Sequence, residues 1–185
     1  MYLMWFAQAT AFFFGVYFFW YLFFETKAGS LIAGGMIDRY HKRNASDRAY
    51  MLSAWTGNTH HVIICFLIFE VMIWDQPCSN TPGVFAWLHD MECFTSIDKR
   101  HVFANMVSLG YITYDFVIQY FFVAGTDSFA KQMIFHHLIS ITGIMSAQYA
   151  GYGVVAANTL TLGVEFSTVF LNYRSSYFKE ELGEQ

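Results

Sequence analysis

Residues 1–24 contain no Asp, Glu, Lys or Arg, and four further apolar stretches of comparable length follow. A run of roughly 20 apolar residues, rising about 1.5 Å each as a helix, matches the hydrocarbon core of a bilayer. The spacing predicts five spans, at about 2–24, 49–73, 102–124, 132–149 and 152–173. The expected fold is an all-α, multi-span helical membrane protein. The first run is read as a retained span, since it lacks the basic start and short apolar core of a signal peptide. Charged residues make up 13% of the chain, about half the share of a soluble domain. No basic stripe suggests nucleic acid.

The runs are joined by a basic loop at 25–48, a second loop at 75–101 and a polar tail at 175–185. The Tyr149–Gly153 stretch is short and glycine-rich, so the fourth and fifth spans are expected to form a hairpin. Cytoplasmic loops carry excess Lys and Arg. Placing 25–48 inside puts eight of the ten basic residues there, and only Lys99 and Arg100 lie outside. Cys78 and Cys93 fall in that outer loop, where pairing and free thiols are both open; Cys65 falls within a span.

Polar residues inside spans should face other helices or a cavity, because lipid cannot satisfy them. They fall at helical spacing. On the fifth span Asn158, Thr161, Glu165, Thr168 and Asn172 share a face; on the third, Asn105, Ser108, Asp115 and Gln119; on the second, Ser53, Thr56, His60 and Glu70. On the fourth, His136 and Ser140 share a face, with His137 about 100° around the helix. This predicts a shared polar interior; local hydrogen bonds between helices are the alternative. His136, Glu165 and Asp115 lie about 6, 10 and 14 Å from the inner ends of their spans, so a cavity open to the inner side is expected. A buried Glu beside His supports acid–base chemistry or simply neutralises itself and fixes helix register. The seven histidines do not form the dense boxes of a membrane di-iron enzyme, and no metal or cofactor is expected. No lysine lies inside a span, and no phosphate-binding or nucleophile-elbow motif is present.

Phe135-His136-His137-Leu138, Glu165-Phe-Ser167-Thr-Val-Phe170-Leu171-Asn172-Tyr-Arg174 and Gly110-Tyr111-Ile-Thr-Tyr114-Asp115 resemble motifs of the TLC-domain family, which includes the ceramide synthases. The resemblance covers about residues 50–174 and implies a helical ring around a lipid-handling site. It makes His136, His137, Glu165 and Asp115 the candidate catalytic residues. His60, Asn158, Thr161, Ser167, Asn172 and Arg174 become candidate lipid- or cavity-binding residues. Two departures temper it. The His-Asp element of the ceramide synthases is replaced by Ala156 to Glu165, and the sequence stops 11 residues after Arg174, leaving the ring open. Unsatisfied polar groups in lipid are costly, so partner subunits or a bound lipid are expected to cover the opening. The expected function is a lipid-holding, non-catalytic accessory subunit of a larger membrane complex. An acyltransferase using the His136/His137 pair is the alternative, and a proton-coupled transporter a third class. Family resemblance points to the endoplasmic reticulum or another endomembrane, with the mitochondrial inner membrane as the alternative.

Overall fold

In the computed structural model the described residues are 1–74, 99–123, 128–150, 159, 161–164 and 168–170. They are almost wholly helical, with no strand among them. Helix α1 is Tyr2–Glu25, α2 is Lys27–Lys42, α3 is Ala45–Ile68, α4 is Lys99–Ile118 and α5 is Ser128–Ala150. α3 and α4 each run on into a wider π-helical turn, at Phe69–Trp74 and Gln119–Val123. Among the described residues three helices are long and apolar enough to cross a membrane: Tyr2–Glu25, Ala45–Val71 and Lys99–Val123. The fourth expected span is present as α5, but its Lys131, Gln132 and paired histidines leave it less apolar than those three. The fifth lies mostly outside the described residues.

α4 is the central helix. It lies alongside α1 in parallel, where Trp5 meets Phe103 edge-on and Tyr17 meets Tyr114. It runs antiparallel to α3. Ser46 donates to the Val123 carbonyl at one end, Ser53 meets Asp115 and His60 meets Ser108 midway, and Glu70 pairs with Arg100 at the other end. α5 lies against α4 through Ile141 and Ile144, packed on Val102, Met106, Leu109 and Ile112. The tightest crossing is between α1 and α4. A methyl group on Gly110 would lie 2.6 Å from the Ala9 Cβ and 2.8 Å from the Thr10 backbone nitrogen. Small residues let helix backbones approach this closely, and in a membrane such packing takes over the role of the hydrophobic effect.

The 25–48 connection is not an irregular loop. α2 occupies most of it, broken at Ala33, whose φ of −139° and ψ of 43° are not helical. Three glycines and dense charge hide this helix from a hydropathy reading. It forms because Ile37 and Tyr40 have an apolar seat against Phe24, Met51 and Leu52. Tyr40 donates to Glu25 at 3.1 Å, and Glu25 also pairs with Arg48 at 3.6 Å, which ties the three helices together at one end. Burial and the adjacent carboxylate hold the Tyr40 phenol above its ordinary pKa. Asn44 then caps α3: its side-chain oxygen accepts from the Asp47 backbone N–H at 2.9 Å.

Candidate functional site: a buried polar seam along α4

The polar stripe expected on the third span is fully internal. His101, Asn105, Ser108, Asp115 and Gln119 are all buried. From residue 101 to 119 the helix rises about 27 Å, close to the thickness of a hydrocarbon core. α3 answers with Ser53, Thr56, His60 and His61, also buried. The two stripes meet because the helices are antiparallel and both repeat at about 3.6 residues.

At one level, Asp115 is the hub. One carboxylate oxygen accepts from the Ser53 hydroxyl, and the other lies 3.1 Å from His137 Nε2. Gln119 Nε2 donates to Ser53 Oγ at 3.4 Å, at the long end of the range. Asp115 and His137 are each no more than 5% exposed in their side chains. A lone carboxylate at such a place would be costly. As a pair they are neutral whichever atom holds the shared proton, and that removes the largest part of the penalty. Two turns away, His60 Nε2 is 3.3 Å from Ser108 Oγ, and the imidazole stacks on Tyr111 at 4.0 Å and 9°. Phe13 closes the same ring edge-on. At a third level Asn105 donates to Thr159 at 2.8 Å and to the His101 carbonyl at 2.7 Å.

His137, not His136, is the inward histidine. His136 is exposed on the opposite side of α5, away from Asp115. The sequence reading puts His136 in the stripe with Ser140, but the inward face of α5 is set by Ile144 and Ala147, which share a helical face with 137. Glu70 also leaves its expected stripe. The π-helical turn starting at Phe69 breaks the 3.6-residue register, and Glu70 faces outward to Arg100. Thr161, a candidate cavity residue, is exposed, whereas Thr159 is fully buried on Asn105. Asn158, Glu165, Ser167, Asn172 and Arg174 lie outside the described residues.

His101, placed by the sequence reading beside a loop, is buried in the first turn of α4. Sequence reasoning also passes over Tyr111 and Tyr114, which it counts as apolar bulk. The Tyr114 hydroxyl lies among Thr56 and Ser53, inside the seam. Among the described residues no three of the His, Cys, Asp and Glu side chains gather as a metal site would require.

The order of groups limits the chemistry. A serine nucleophile needs its hydroxyl on the imidazole. Here the sequence of contacts is Ser53, Asp115, His137, with the carboxylate in the middle. Ser53 therefore has no histidine base. Comparison of the chain with protein-family models, with curated proteins and with solved structures gives no match. The reading of function rests on this geometry and on the sequence motifs.

Proposed function

We propose that the chain is a TLC-type integral membrane protein that works as a non-catalytic, lipid-holding subunit of a larger membrane assembly. The observation that carries this reading is Asp115, whose two oxygens are both engaged by this chain's own Ser53 and His137. A carboxylate already bonded on both sides holds helices in register. It has little left to offer a substrate. The assembly part draws support from the surface. Phe12, Phe18, Phe19 and Leu22 of α1 are exposed, as are Phe135, Leu138 and Ile139 of α5. Acyl chains would cover those residues, but not the exposed imidazole of His136 among them. A polar group on a neighbouring subunit would.

The test is purification in mild detergent under native conditions, with mass spectrometry of the proteins and lipids that co-elute. Stoichiometric membrane partners together with bound phospholipid are expected. A stable, lipid-free monomer would overturn the proposal.

One observation favours an enzyme as a second reading. Asp115 fixes the His137 imidazole through Nε2, and His137 Nδ1 is buried without a hydrogen bond. A carboxylate-held imidazole with one free nitrogen has the form of an oriented general base. An acyltransferase of this kind would lose turnover completely in His137→Ala. Unchanged cellular lipid profiles in that variant would dismiss it.

A further inference from the structure

α2 joins α1 to α3, and these two helices run antiparallel, with Phe13 against His60 and Trp20 against Trp55. Both are long and apolar enough to span. α2 must then lie at one membrane face, and its two sides are unlike. The inner side, Ile37 and Tyr40, is buried on Phe24, Met51 and Leu52. The outer side begins with Leu31 and Ile32, which are 88% and 78% exposed. It ends with Lys42, also exposed, and with Arg39 and Arg43, which are half-buried. Arg48 is occupied by Glu25 and contributes no free charge. Residues 27–43 hold four Lys or Arg against one acid, Asp38. The break at Ala33 separates the apolar end from the basic end, and Gly34 and Gly35 beyond it have open space where a side chain would sit.

We propose that α2 is an interfacial helix that binds anionic phospholipid. Leu31 and Ile32 enter the acyl boundary, and Arg39, Lys42 and Arg43 take the headgroup phosphate. Ile32 and Lys42 are about 15 Å apart along the axis. A modest tilt seats one in the upper chains and the other among headgroups, within the ~5–10 Å insertion usual for such helices. Charge complementarity selects the occupant: an apolar step followed by a cationic cluster matches a lipid with a net negative headgroup, not a zwitterionic one. The inference rests on α1 and α3 crossing the membrane. It does not depend on a lipid held in the polar interior.

Native mass spectrometry of the full chain, offered equal amounts of phosphatidylglycerol and phosphatidylcholine with matched acyl chains, tests it. The wild type is expected to retain phosphatidylglycerol in preference. Each basic residue near an anionic surface is worth about fivefold, so Lys42→Gln should reduce the preference about fivefold. The triple variant R39Q/K42Q/R43Q should abolish it. Lys42 is exposed, so its replacement leaves the fold intact. The double variant L31S/I32S should lower retention of both lipids while keeping their ratio. Equal retention by the wild type, or a preference untouched by Lys42→Gln and the triple variant, would overturn the proposal and make this face a protein contact. A phospholipid held in the interior would survive the triple variant, so the two lipid readings fail separately.

Discussion

At Asp115 the seam concentrates its risk. Three side chains from three helices meet there, Ser53 of α3, Asp115 of α4 and His137 of α5, with almost no access to solvent. Removing one member of a buried pair leaves the other uncompensated and typically costs about 3–5 kcal/mol. His137→Leu is therefore expected to lower thermal stability in detergent sharply. Adding Asp115→Asn to that variant restores neutrality and keeps an acceptor for Ser53, so it should recover most of the loss. If the double variant is no more stable than His137→Leu alone, charge balance is not what the pair provides. Tyr40 gives a milder case outside the spans. Its raised phenol pKa means that the hydrogen bond to Glu25 is at full strength below the ordinary value near 10 and is lost only as pH rises beyond it. Tyr40→Phe should then cost about 1–2 kcal/mol at neutral pH, and the gap to wild type should close in strongly alkaline buffer. A gap that persists unchanged at high pH would assign the cost to packing.

Between elements, the α1–α4 crossing is set by a single missing side chain. Gly110→Ala places a methyl group 2.6 Å from Ala9 Cβ and 2.8 Å from the Thr10 backbone nitrogen. Overpacking of this kind typically costs about 1–3 kcal/mol. Ala9→Gly in the same chain removes the nearer clash but not the backbone one, so rescue measured by thermal unfolding should be partial. Full rescue would mean that the helices separate more easily than their packing implies. The crossing partner was not legible in the sequence: periodicity assigns a face to each helix and is silent on which helix lies opposite. What periodicity does carry came through on α3 and α4, where Ser53, Thr56, His60, Asn105, Ser108, Asp115 and Gln119 are buried along their expected stripes. It failed where the helix departs from 3.6 residues per turn, at Glu70. It failed again where one polar neighbour was used to orient a face, at His136. α2 was hidden because its helix depends on a tertiary seat for Ile37 and Tyr40 more than on local preference.

For the molecule as a whole, the two adjacent histidines separate folding from assembly. His137 is inside the four-helix core and His136 is outside it, one residue and about 100° away. Hydroxyls can sit on an outer face at little cost because they bond their own helix, as exposed Thr142 does to the Leu138 carbonyl at 2.8 Å. An imidazole is too long and too polar for that solution. On an apolar surface it needs a partner from beyond the chain, or a place at the headgroups. His136→Leu therefore tests the assembly reading directly. If a neighbouring subunit holds the ring, the variant should keep its thermal stability within about 0.5 kcal/mol, as other surface changes do. It should nevertheless lose its co-eluting partners in native detergent purification. His137→Leu should do the reverse in order of events, unfolding first and losing partners only as a consequence. Unaltered co-elution in His136→Leu would mean that this face of α5 meets lipid, and the surface that joins the assembly would then have to be sought on the aromatic outer side of α1.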